Sequence, residues 1–145
     1  MKTKTFSLRT ILTATTGRFL CKRKSSNDNG IGDLYELLRW MTNDDPCTHQ
    51  LGRFADECVP WLLRWFPELG AMEELVKTEM ARLKTKDPVY AEGFIEGVIE
   101  RIGGGKQEYD VPRIPADDHV VKNPYDELVE IRGTDEGIVI INLDE

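Results

Sequence analysis

Residues 48–67 read THQLGRFADECVPWLLRWFP. Thr48 is placed to cap a helix, and Leu51, Phe54, Ala55 and Cys58 follow at the i, i+3, i+4 and i+7 spacing of one apolar helical face. Pro60 has no amide hydrogen and its ring crowds the preceding turn, so the pattern predicts a break or kink there, with Pro60 as the first residue of a further short turn. Trp61, Leu62, Leu63, Trp65 and Phe66 then form the densest apolar cluster of the chain. Large aromatic side chains bury the most area each, which places the expected core at this cluster.

Outward from this stretch the same periodicity recurs. Upstream, Leu34, Leu37, Leu38 and Met41 predict a helix that starts near Asp33 and ends before Asn43-Asp44-Asp45-Pro46. The polar run from Lys22 to Gly30 reads as an exposed loop. Before it, Ser7 can cap a short helix with Leu8, Ile11 and Leu12 on one face and Gly17 as its stop. Downstream, Leu69, Met72, Leu75, Val76 and Leu83 predict a helix over 67–84. Asp87-Pro88 opens another carrying Phe94, Ile95, Val98, Ile99 and Ile102, which Gly103-Gly104-Gly105 ends.

Pro112, Pro115 and Pro124 then suppress helix and predict an extended arm over 107–125. In the last segment Leu128, Val129 and Ile131 face Ile138, Val139, Ile140 and Ile141 across a glycine-containing turn, the pattern of a hairpin. A hairpin alone is marginal, so it needs packing or a third strand, for which Tyr109 to Ile114 is the candidate. The expected fold is α+β: four or five helices around Trp61, Trp65 and Phe66, with a small C-terminal antiparallel sheet or hairpin. Residues 1–106 form the helical domain, and 107–145 form an arm and hairpin packed on it as part of one folding unit.

With 145 residues the chain can bury about two thirds of the surface its unfolded form exposes, enough for one core. No apolar run approaches the ~20 residues that cross a bilayer, and Arg9 and several threonines interrupt the first segment where a signal peptide would be apolar. The expectation is a cytoplasmic protein without membrane contact. Three cysteines, Cys21, Cys47 and Cys58, make no disulfide framework and read as thiols. The net charge of -7 is unevenly spread, because residues 1–25 hold seven bases and no acid, leaving twelve bases against twenty-six acids afterwards. Such a two-ended chain suits a basic partner, a nucleic acid at its basic end, or an arm lying on its own acidic body, the last being preferred.

The candidate chemistry is sparse. Cys47, His49 and Cys58 could approach a zinc ion with Cys21 or His119 as fourth ligand. Structural zinc sites, however, use ligand pairs two to four residues apart, and Cys58 falls on the apolar face. The same thiols with His49 and Asp56 could be read as a nucleophile and base. His49, Arg53 and Asp56 lie at i, i+4 and i+7 and share a helix face, either as a structural network or as a small anion site to which Arg18 could add a contact. Gly103-Gly104-Gly105-Lys106 follows a helix and does not lead into one, so it is a helix stop and not a phosphate loop. Asp44/Asp45, Glu73/Glu74 and Asp117/Asp118 read as solvated acids and not as cation ligands. Arg18, Lys22, Arg23 and Lys24, with Phe19 between, have the composition of a small nucleic-acid contact, opposed by the acidic remainder. No cofactor or metal is expected.

Thr15-Thr16-Gly17-Arg18, Asp33-Leu34-Tyr35 with Leu37-Leu38, Met41-Thr42-Asn43-Asp44, Thr48-His49-Gln50-Leu51 and Cys58-Val59-Pro60-Trp61-Leu62-Leu63 with Phe66-Pro67 occur in that order. In this the chain resembles a family of short, uncharacterised bacteriophage and prophage proteins, over about residues 6 to 70. A looser likeness runs on through Ile114-Pro115 and Asn123 to Leu128. The resemblance implies no catalytic residue. It implies a small accessory protein in an infected bacterium, acting without catalysis by binding a host protein, as a takeover factor or a counter-defence inhibitor of the anti-CRISPR kind. Arg23, Lys24, Ile138 and Ile140 are the candidate partner contacts, with a homo-oligomer as a further expectation from the terminal strand edge. The alternative is a small-ligand protein or enzyme centred on His49, Arg53 and Asp56 with Arg18.

Overall fold

Ser7 does what its position predicts: its hydroxyl accepts from the Thr10 amide at 3.2 Å and starts helix α1, Leu8–Thr16, which Gly17 ends at φ +71°. In this computed structural model, residues 2–18, 20, 31–84 and 87–132 are described. Strand β1, Thr3–Ser7, precedes α1. After it come α2 (Ile31–Thr42), a 3₁₀ turn (Thr48–Gln50), α3 (Leu51–Trp65), α4 (Glu68–Met80), α5 (Pro88–Gly103), strand β2 (Glu108–Pro112), a second 3₁₀ turn (Ala116–Asp118) and α6 (Pro124–Arg132).

Helix α1 is the centre of the described fold. Helix α1 packs against α2, α3, α4 and α5, and Leu8, Ile11 and Leu12 are wholly buried. Its buried threonines Thr13 and Thr15 tolerate burial because their hydroxyls bond back to the helix: Thr13 to the Arg9 carbonyl at 2.9 Å and Thr15 to the Leu12 carbonyl at 3.4 Å. Arg9 leaves the helix to form a two-pronged ion pair with Glu92 of α5. Around α1 the core is built from Leu37, Leu38 and Met41 of α2, Phe54, Cys58 and Leu62 of α3, and Leu69 and Val76 of α4.

The expected α+β class holds, with six helices and a two-stranded antiparallel sheet among the described residues. The sheet's place differs from expectation. It joins the N-terminal strand to β2, in a register that sets Phe6 against Tyr109 and Lys4 against Val111. Phe6, Tyr109 and Val111 are buried while Thr5 and Asp110 face outward, bonded to each other at 2.6 Å. Tyr109 to Val111 is thus a strand, as its sequence suggested, but its partner is β1.

Leu128, Val129 and Ile131 lie in α6 and not in a hairpin strand. Pro124 supplies the first helical residue, and the Asn123 side chain accepts from the amides of Tyr125 and Asp126 at 2.9 and 3.3 Å. That cap decides for helix over strand. The proposed facing strand Ile138–Ile141 lies outside the described residues, as do Cys21 and the whole Lys22–Gly30 loop with Arg23 and Lys24.

Two further expectations are corrected. Helix α3 runs on through Pro60, which is exposed, so the Asp56 carbonyl it leaves without an amide lies on the solvent side of the helix, where water can serve it. Trp61, Trp65 and Phe66 do not form the centre. They are half-buried and flank an aliphatic core whose innermost aromatic residues are Phe54 and Tyr109. Wide indoles suit such a flank, covering apolar surface while the Trp61 N–H reaches Asp118 at 2.9 Å.

Candidate functional site

Beyond β2 the chain crosses the outer face of α3 as a strap, residues 113–123, and leads into α6. The Ile114 amide donates to the Met41 carbonyl at 2.9 Å and fixes the start of the strap against the end of α2. From there to α6 most strap residues are exposed, including Ala116, Asp117, Val120 and Val121. The strap is held mainly by polar side chains of the body.

Those side chains come from one helical stripe. The Cys47 amide donates to the Gln50 side-chain oxygen at 2.9 Å and closes the 3₁₀ turn, bringing Gln50 into line with Arg53 and Glu57 at three- and four-residue spacing. Buried Gln50 donates to Glu127 at 2.9 Å and to the Lys122 carbonyl at 3.3 Å. Arg53 holds Glu127 with two parallel bonds of 2.7 and 2.8 Å, and its third nitrogen reaches Glu57 at 2.9 Å and the Val120 carbonyl at 2.6 Å. Glu57 also accepts the Val120 amide at 3.1 Å and the Nδ1 side of His119, whose Nε2 faces Asp44 at 2.9 Å. The guanidinium stacks 5.0 Å from the centre of the Phe54 ring.

The electrostatics follow from these bonds. The paired bonds from Arg53 hold the Glu127 carboxyl down to about 2, against the opposing effect of burial, with Gln50 and the Lys122 charge assisting. The same contact with Glu127 raises the Arg53 guanidinium above its ordinary value. Burial, helped by the neighbouring Glu57 charge, pushes the Cys58 thiol up to about 12, which disfavours the thiolate a nucleophile needs.

A lowered carboxyl makes the latch sensitive to acid. Its stabilisation is complete above about pH 4.5, the ordinary value for this carboxyl, and is lost as pH falls from there through about 2. We expect the stability gap between the wild type and Glu127→Gln to shrink by about 3 kcal/mol across that acid window. Urea denaturation at stepped pH measures it, and a gap that stays constant below pH ~5 would remove Glu127 as the acid-sensitive group.

The structure turns His49 and Arg53 toward the strap and the start of α6 that follows it. His49 donates from Nε2 to the Pro124 carbonyl at 2.6 Å, which fixes its tautomer and leaves Nδ1 a buried acceptor with no donor among the described residues. Asp56 is exposed and outside the network; the carboxylate that meets Arg53 from its own helix is Glu57. Arg18 is exposed at the end of α1, beside a cleft of about 210 Å³ lined by Thr13, Ala14, Leu34, Leu51 and Gly52, and is not part of the latch. A larger cleft, about 650 Å³, is open, lies along α2 with Tyr35, Glu36, Arg39 and Cys47 on its walls, and contains neither His49 nor Arg53. Among the described residues no His, Cys, Asp and Glu side chains assemble a metal site, and no helix is long and apolar enough to cross a membrane. Sequence reasoning did not single out Gln50, Glu57 or Glu127. The 50, 53, 57 and 61 spacing was the signal for the first two.

Residues 6–71 match the family described as Domain of unknown function (DUF7736). The match to DUF7736 spans the end of β1, all of α1, α2 and α3, and the start of α4. It includes the body half of the latch, Asp44, His49, Gln50, Arg53 and Glu57. The strap half, His119 and Glu127, lies beyond it. No curated protein and no solved structure matches the chain.

Proposed function

We propose that this chain is a non-catalytic binding protein of phage type that acts on a host protein with a basic surface, in host takeover or in counter-defence. The observation that carries this reading is where the polar chemistry goes. Arg53, Gln50, Glu57 and His119 are spent on holding the chain's own strap and α6, and burial pushes the Cys58 thiol up. A small-ligand site would need those donors turned to an open cleft, and the clefts along α2 and beside Arg18 are lined by other residues. Exposed acids remain for recognition: Glu96, Glu100 and Glu108 line an open cleft of about 410 Å³ between α5 and β2. An acidic surface favours and steers a basic partner.

The test is capture from bacterial lysate with the tagged full-length chain. We expect a stoichiometric host protein whose recovery falls as salt rises, and weaker recovery with Glu96→Lys/Glu100→Lys. Recovery of no partner at any salt, together with turnover or co-purification of a small metabolite, would overturn the reading in favour of a ligand site.

A further inference from the structure

His119 is gripped from both sides. Its Nδ1 meets Glu57 of α3 and its Nε2 meets Asp44, in the turn after α2, at 2.9 Å. The side chain is only 4% exposed, and the Phe54 ring closes one face edge-on at 4.8 Å between centroids. The other charged groups nearby are accounted for: Arg53 reaches the cluster through Glu57, and Asp118 on the strap is turned to the Trp61 indole.

Carboxylates only accept hydrogen bonds, and a neutral imidazole offers one hydrogen and one lone pair. Both contacts of His119 are therefore satisfied only when Asp44, Glu57 and His119 hold two hydrogens among them. With one, a lone pair of a ring that is almost fully buried faces a carboxylate oxygen, which is a costly arrangement.

The geometry points to a proton-operated clasp: the strap docks on α3 while the second hydrogen is present, and loosens when it leaves, uncovering the Phe54 edge and the Trp61 indole. The docked state binds the extra proton, so docking weakens as pH rises. The Glu127 latch works in the opposite sense at the acid end, so strap docking is strongest between the two limits. This inference does not depend on the identity of any partner.

The Val120 amide, held by Glu57 at 3.1 Å, and the Trp61 indole N–H, held by Asp118, report the docked strap directly. In the full-length protein we expect the amide protection factor at Val120 to fall by up to about tenfold per pH unit above the range where histidines titrate, with the Trp61 indole signal moving in step. Asp44→Asn supplies a donor to the lone pair of the neutral ring, so its strap stays docked and loses the pH dependence. His119→Gln is loosened at every pH and also independent of it. A wild-type protection factor that holds constant through the range, or an Asp44→Asn protein that keeps the wild-type pH dependence, would overturn the clasp. The wild-type titration alone decides the matter if a variant fails to fold.

Discussion

Arg53→Ala is expected to destabilise the protein by about 3–5 kcal/mol, because it strips the partner from a carboxylate that stays buried. The Glu127 side chain is 5% exposed and takes two of its bonds from Arg53. Without that guanidinium, Glu127 retains Gln50 but must either protonate or carry an uncompensated charge out of water. Glu57 and the Val120 carbonyl lose a donor in the same step. A domain of this size has about 5–15 kcal/mol in all, so the loss is a large fraction of its stability. Urea or thermal unfolding checks the value, and a cost under ~1 kcal/mol would mean that the strap is not held by this residue. Arg53→Lys should recover only part of the loss, since an ammonium cannot make the two parallel bonds. The double variant with Glu127→Gln should cost less than the two single changes together, because the buried charge is then gone.

Much of the helical frame was legible because it rests on local rules. Ser7, Gly17, Asp87 with Pro88, and the Gly103-Gly104 stop sit where capping chemistry needs them, and the helices begin or end there. Pro60 misled because its consequence depends on which side of the helix faces water, a tertiary fact. The last segment misled because β-branched residues at alternate positions were weighed above the Asn123-Pro124 start signal. Strand β1 was invisible on its own: five residues with one apolar side chain buried become a strand only when β2, more than a hundred positions away, supplies the ladder.

The candidate site divides the same way. Arg53 and His49 stood out by residue type and spacing, and the structure turns Arg53 to the strap and to α6 and His49 to the first residue of α6. Their partners could not be read from the sequence, because Glu127 and His119 lie 74 and 62 positions from the residues they clasp. Asp56 and Glu57 are neighbours with identical charge, and only the phase of α3 against the strap selects Glu57.

That phase also sets where the fold is most vulnerable. Phe54 is wholly buried, lies on the stripe shared by the α3 core face and the strap, and touches both the Arg53 guanidinium and the His119 ring. Phe54→Ala is therefore expected to cost about 3–5 kcal/mol from lost burial and the cavity left behind. It should also loosen the strap, since the ring is the apolar floor against which both polar clasps are aligned. Trp65→Ala, on the half-buried flank, should cost less despite removing a larger side chain. Parallel denaturation curves for the two variants decide between an aliphatic core with α1 at its centre and a core centred on the Trp61–Trp65 pair. If Trp65→Ala were the more damaging of the two, the second arrangement would be correct, and the strap would rest on a different floor.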